Sequence, residues 1–221
     1  MCFLCSEQPP SSIRAKGSRG AAQGQMLAMQ NNPNAFPVGL KNACCAEPLC
    51  CCLSFFGAPL GCTACWARKA VLDKYHNGVK DFVCCQGYVP KCCCVDVAEC
   101  CPGNICGLCC EGCCCPILSV SIARIHLMHT RNLRPDPCDW QLIACSNCLQ
   151  LVACIFQILA IFIDALREAA QIIDCIADLF TCSVAGCMGA QIHHTIKNDN
   201  KVAPIVQGTV VGAPENAEMD R

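Results

Sequence analysis

The sequence predicts a mainly α-helical protein: a helical hairpin plus a loop-rich, cysteine-dense segment, with disordered N- and C-terminal tails. Three observations predict it. Residues 142–163, LIACSNCLQLVACIFQILAIFI, run for 22 residues without a charge, a proline or a glycine. Residues 164–197 keep a helical period, with Asp164, Arg167, Glu168, Gln171, Asp174 and Asp178 on one stripe and Leu166, Ile172, Ile173, Ile176, Leu179 and Phe180 on the other. Thirteen of the 32 residues in 84–115 are cysteine, interspersed with glycine and proline.

The uncharged run is the organising element. At about 1.5 Å per residue, a helix of this length crosses a hydrocarbon core of about 30 Å. Ser146, Asn147, Gln150 and Gln157 interrupt it, so a membrane span and a buried core helix both fit. A single rod from Asp139 to Lys197 would far exceed the mean helix of about 11–12 residues. A bend near Asp164 therefore folds the two segments into an antiparallel hairpin, and Asp139 suits the N-cap of its first arm.

Residues 1–43, rich in Ser, Gly, Gln, Asn and Pro, read as a flexible arm, with Cys2 and Cys5 at its tip as an acylation or thiol pair or as plain tail residues. Residues 44–197 form a cysteine-rich helical domain, and 198–221 a flexible tail. In 49–66 Gly57 and Pro59 divide an uncharged run, which predicts a kinked or re-entrant element. Arg68, Lys69, Asp73 and Lys74 continue it as an amphipathic helix ending near Asn77-Gly78, and Trp66 stands at the junction as a headgroup anchor or a core residue. Residues 84–115 read as loops with little regular structure. Pro116 opens a helix over 116–134 whose polar set is Arg124, His126, His129, Arg131 and Arg134. Basic residues before the apolar run place that side in the cytosol. Gly186 and Gly189 mark a weak end of the last helix, and no internal repeat is present.

A total of 29 cysteines in 221 residues usually signals a secreted disulfide scaffold. Against it, the N-terminus lacks a basic region followed by an apolar one, and the cysteine count is odd. A mostly reduced, cytosol-facing protein follows, with thiols used for metal, for S-acylation or as small buried hydrophobes. A net charge of −1 and the lack of paired-cysteine, paired-histidine fingers argue against nucleic acid. No P-loop, GxSxG, HExxH or dinucleotide-binding turn is present, so the expectation is no enzyme.

Three constellations carry chemistry. Cys106-x2-Cys109 and Cys110-x2-Cys113, together with Cys62/Cys65, have the spacing that brings two thiolates to one tetrahedral ion at about 2.3 Å; zinc or another divalent metal would suit them. Disulfides or free thiols are the alternative, and Cys145/Cys148 repeats the spacing. Cys44, Cys45 and Cys50, Cys51 and Cys52 flank the first apolar run as candidates for covalent acyl chains, with plain packing as the alternative. Asp174, Asp178 and Cys182 follow one another at helical spacing as a cation face, or as an ordinary solvated face.

Three stretches carry a resemblance covering 44–197. Cys51-Cys52-Leu-Ser-Phe-Phe-Gly-Ala-Pro59 stands where the family in question has CCxxxxCPC. An apolar segment follows Asp139. Asp174-Cys175-Ile-Ala-Asp178, Cys182 and Cys187-Met188-Gly-Ala-Gln191 are similar to its closing cysteine–glutamine motif. On these residues the chain resembles the cysteine-rich branch of the placenta-specific gene eight family, which includes plant cadmium-resistance and cell-number-regulator proteins. Gly57 and Pro59 replace both cysteines of the CPC element, and 84–115 is an insertion relative to short members, as in a divergent plant or algal branch. The resemblance implies a membrane-associated, non-enzymatic protein that binds or helps to transport divalent cations, or acts in growth control. A homo-oligomer or membrane-protein partners are expected with it. A second reading makes the chain a structural subunit of a ciliary, cytoskeletal or organellar assembly, its apolar helices covered by partners.

Overall fold

The computed structural model describes residues 29, 32–88, 91–92, 95–96, 101–135 and 139–199. The expectations for Cys2, Cys5 and residues 200–221 lie outside them. Among the described residues the fold is mainly helical. Helix α1 (Leu40–Ala46) and α2 (Pro48–Gly57) are separated by Glu47 alone. The chain then turns through Ala58–Gly61 into α3 (Cys62–Tyr75). Gly61 takes φ 74°, a left-handed conformation that other residues adopt at a cost. The break expected at Gly57 and Pro59 lies there.

Helix α4 (Ile105–Cys114) gives the end of 84–115 more regular structure than the loops expected there. Cysteine and glycine are weak helix formers, but Asn104 caps the helix by accepting from Cys106 N at 2.9 Å, while Leu108 and Glu111 bury its inner face. Its start is preceded by short 3-10 turns at Gly78–Asp81 and Cys84–Gly87. Helix α5 (Pro116–Arg131) meets α4 at 119° and ends where Asn132 turns left-handed. Strands β1 (Asn34–Ala35) and β4 (Leu133–Arg134) pair in parallel, and β2 (Lys91–Cys92) and β3 (Val95–Asp96) form an antiparallel pair. The ordered body therefore starts before Cys44: Phe36 and Leu40 are buried, so the arm does not extend to residue 43.

Helix α5 is the core element. It is buried along nearly its whole length, against α3 on one side and the last helix, Arg167–Asn198, on the other. Of its polar set, Arg124 and His126 are interior. The Arg124 guanidinium pairs with Asp139, donates from Nε to Gln191 Oε1 at 2.7 Å and lies 5.1 Å from the Phe36 ring. Arg68, read among the charged residues of an amphipathic helix, is fully buried and donates to Glu111 at 3.1 Å. Buried charges persist only when paired, and these two pairs meet that requirement.

The hairpin forms as expected. Helix α6 (Asp139–Phe162) ends where Ile163 becomes extended, a 3-10 turn covers Asp164–Leu166, and α7 (Arg167–Asn198) returns alongside. Four polar groups of its two arms meet in the seam. Ser146 and Thr181 hydroxyls lie 3.0 Å apart, and Gln150 Nε2 donates to Asp178 at 3.0 Å and Thr181 at 3.1 Å. The outer surface is apolar: Leu151, Ile155, Ile158 and Phe162 on α6, and Ile172, Ile176 and Leu179 on α7, are exposed. The apolar stripe of 164–180 is thus largely uncovered rather than packed inward. Both 141–162 and 164–198 are long and apolar enough to cross a membrane.

Gly186 and Gly189 do not weaken α7, which runs through them to Asn198. They let α2 approach: a Cβ at Gly186 would stand 3.0 Å from Cys51 O, and one at Gly189 would stand 2.2 Å from Ser54 Oγ.

Candidate thiol and metal centres

Two groups among the described residues bring three metal-ligating atoms within 4.8 Å of one another. The first is Cys84, Cys85 and Glu111. Here Glu111 is committed: Oε1 accepts from Arg68 Nε and from Ser119 Oγ at 2.8 Å, and Oε2 accepts from Cys85 N at 2.7 Å. Burial, aided by the Glu111 charge, pushes the Cys85 thiol well up and keeps it protonated. This group is an ion-pair anchor that ties the 84–87 turn to α3, α4 and α5.

The second is Cys44, Cys51 and Cys187, from α1, α2 and α7, all half-buried. Cys44 and Cys51 are joined in a disulfide, and Cys187 Sγ lies 3.5 Å from Cys44 Sγ. The fold makes this meeting by local means. The one-residue link at Glu47 turns α2 back beside α1. Gly186, next to Cys187, then admits the α2 backbone at Cys51. Glu47 closes the arrangement from the other end, accepting from Lys197 at 3.0 Å with His194 Nδ1 3.3 Å away. The Lys197 ammonium holds the Glu47 carboxyl below its ordinary value, and His194 adds to this.

The predicted ligands are distributed differently. Cys106, Cys109, Cys110 and Cys113 are exposed on the single continuous helix α4, so no turn between Cys109 and Cys110 folds them round one ion. Cys62 and Cys65 open α3; Cys65 faces α4, its Sγ 3.9 Å from the carbonyls of Leu108 and Cys109, while Cys62 Sγ lies 4.0 Å from Leu60 O. Asp174, Asp178 and Cys182 form no three-donor group, and Asp178 accepts instead from Gln150 across the seam. Cys145 and Cys148 are exposed on α6.

Of the acylation candidates, Cys44 and Cys51 are joined in a disulfide. Cys45 and Cys52 are exposed, whereas burial raises the thiol of half-buried Cys50. Among the motif residues, Pro59 lies in the α2–α3 turn and Cys175 is exposed on α7. Gln191 is fully buried; it accepts from Arg124 and donates to Val38 O at 2.9 Å. Trp66 is 38% exposed and tilts against His193, ring centres 6.0 Å apart, in the wall of a cavity of about 380 Å³ shared with Leu49 and Leu53.

The reading of residues missed Cys44 and Cys187 as partners. The usable signal was Cys187 set between Gly186 and Gly189, a cysteine on the one stretch of α7 able to touch another backbone. No family model, no curated protein and no solved structure matches the chain. What the fold and sites define is a helical, cysteine-rich protein with groups able to hold a metal ion and two helices able to cross a membrane.

Proposed function

We propose that this is a non-enzymatic, membrane-associated protein that binds a soft divalent cation, zinc or a similar ion, on Cys44, Cys51 and Cys187. The observation that carries the reading is the convergence of these three sulfurs on α7, the second arm of the apolar hairpin. Two-electron reduction of the Cys44–Cys51 disulfide by a small-molecule thiol, itself oxidised to a disulfide, frees two thiols; with Cys187 they make three, which bind as thiolates and release protons on binding. Three protein ligands leave the fourth tetrahedral position for water or for a ligand travelling with the ion. The cysteine-rich body then faces the cytosol, and copies associate through the hairpin surface. This agrees with the resemblance to the placenta-specific gene eight family and makes binding or transport of divalent cations its role.

The reading as a buried structural subunit drew on the polar residues of 142–163. Ser146 and Gln150 find their hydrogen bonds within the hairpin, so those two residues need no outside partner. Two measurements test the proposal. Metal analysis of the reduced protein should find a stoichiometric soft cation that Cys187→Ser removes. Carbonate-washed membranes should retain the chain; release into the soluble fraction speaks for the assembly reading.

A further inference from the structure

We infer a second soft-metal site, independent of the Cys44 cluster, where α3 crosses α4: Cys62 and Cys65 supply one pair of thiolates and Cys109 and Cys113 the other. The sequence spacing joined Cys106 to Cys109 and Cys110 to Cys113. The fold instead takes one residue from each of those pairs and sets both against the Cys62/Cys65 pair.

The geometry rests on two glycines. A Cβ at Gly61 would stand 2.4 Å from Gly112 O and 3.0 Å from Cys113 Cα. A Cβ at Gly112 would stand 2.3 Å from Cys65 Sγ and 3.2 Å from Cys65 N. The helices therefore meet backbone to backbone, the closest approach available, and the cysteines beside each glycine are carried to the same rim. Cys62 and Cys65 are three residues apart on α3, and Cys109 and Cys113 four apart on α4, so each pair shares a helix face. Cys65 already lies on the α4 turn, 3.9 Å from Leu108 O and Cys109 O. No three of these four sulfurs lie within 4.8 Å of one another. Cys62, Cys109 and Cys113 are exposed, and on this inference their side chains turn in to close on the ion. Cys110 and Cys114 sit further round α4, and Cys106 lies towards its other end, away from the Gly61–Gly112 crossing; all three are exposed.

Cys109, Cys113 and Cys62 all lie near enough to the partly buried Cys65 thiol to act on it. A soft ion on four sulfurs is the pattern of closed structural zinc sites, whereas the Cys44 cluster supplies only three. On this reading the ion clamps the cysteine-rich insertion to the helical body.

The full-length reduced protein in detergent, carrying Cys44→Ser, Cys51→Ser and Cys187→Ser, should be titrated with cobalt(II). About one equivalent should bind, with the sulfur-to-cobalt charge-transfer and tetrahedral ligand-field bands of a four-thiolate site. Adding Cys65→Ser and Cys109→Ser should weaken binding by roughly 100-fold or more, since even outer partners of metal ligands are worth about 10- to 100-fold. Adding Cys106→Ser and Cys110→Ser instead should leave spectrum and affinity unchanged. On the unmutated chain, zinc should protect Cys62, Cys65, Cys109 and Cys113 from alkylation, and not Cys106, Cys110 or Cys114. Equal loss in both variant pairs, no cobalt spectrum, or uniform alkylation would overturn the inference. Loss of metal from the Cys44 cluster alone would count only against the preceding proposal.

Discussion

Arg124 on α5 donates to Gln191 on α7 at 2.7 Å, and both residues are at most 1% exposed. The contact joins the core helix to the base of the hairpin. Gln191 passes the connection on to Val38 O, and Arg124 passes it to Asp139 at the start of α6. Both arms of the hairpin are thus tied to one guanidinium. Arg124→Ala should destabilise the fold by about 3–5 kcal/mol, because Asp139 loses its guanidinium partner in the interior. Gln191→Ala should cost about 1–3 kcal/mol through the unpaired Arg124 Nε and Val38 carbonyl. Denaturant unfolding followed by circular dichroism measures both, and equal, small losses would refute the ranking.

Helix α3 offers a contrast between adjacent basic residues. Arg68 and Glu111 have side chains 0% and 2% exposed, whereas Lys69 and Asp73 are 52% and 49% exposed at 3.3 Å. Glu111→Ala should therefore cost about 3–5 kcal/mol. Lys69→Ala should change stability by no more than about 0.5 kcal/mol, the scale of exposed helix pairs. The same unfolding experiment separates them.

That contrast also marks what could be read from the residues. The hairpin was legible because a long uncharged run and a charged helical stripe each report length and period. The break at Gly57 and Pro59, and the helix opened by Pro116, were legible through backbone chemistry. Burial of Arg68 and Arg124 was not, since an arginine at helical spacing looks the same on a solvated face as beside a buried carboxylate 43 or 15 residues away. Helix α4 was hidden by its composition, its helical state depending on the Asn104 cap and on tertiary burial of Leu108 and Glu111. The Cys44 cluster was hidden by distance: Cys44 and Cys187 are 143 residues apart.

Packing at the glycines should be equally measurable. Gly189→Ala places a methyl 2.2 Å from Ser54 Oγ and 2.7 Å from Ser54 Cβ. Helices α2 and α7 must separate, at a cost of about 1–3 kcal/mol. Cys51 and Cys187 ride on those helices, so the half-buried Cys187 thiol should also be alkylated faster. Unchanged stability would show that the two helices are less tightly seated.

Acylation should follow exposure. The nucleophile is the thiolate, which burial disfavours at Cys50. Cys45 and Cys52 are exposed. Hydroxylamine-sensitive acyl exchange in cell membranes should label Cys45 and Cys52 ahead of Cys50. Labelling concentrated at Cys50 would contradict this order.

His126 supplies a pH prediction whose sign is set by burial. Its ring stacks on His76 with centroids 4.7 Å apart, and its Nδ1 has no hydrogen-bond partner among the described residues. Burial first, then Arg68, His76 and His129, hold it well below the ordinary histidine value. His76 is lowered too, by burial and Arg68, with Asp81 opposing. The folded state therefore binds fewer protons than the unfolded state. Their contribution to stability is complete above the unfolded value of about 6.5 and is lost as pH falls below it. His126→Phe keeps an aromatic ring in the stack and removes the group that resists protonation. Its stability near neutrality should stay within about 1 kcal/mol of the parent, since apolar replacement of an unpaired buried polar group is close to neutral. Between about pH 6.5 and 5 the parent should lose stability more steeply than His126→Phe. Carboxylates such as Glu47, also lowered, contribute to acid loss in both proteins and cancel in the comparison. Parallel slopes over that window would show that His126 is not the group that titrates.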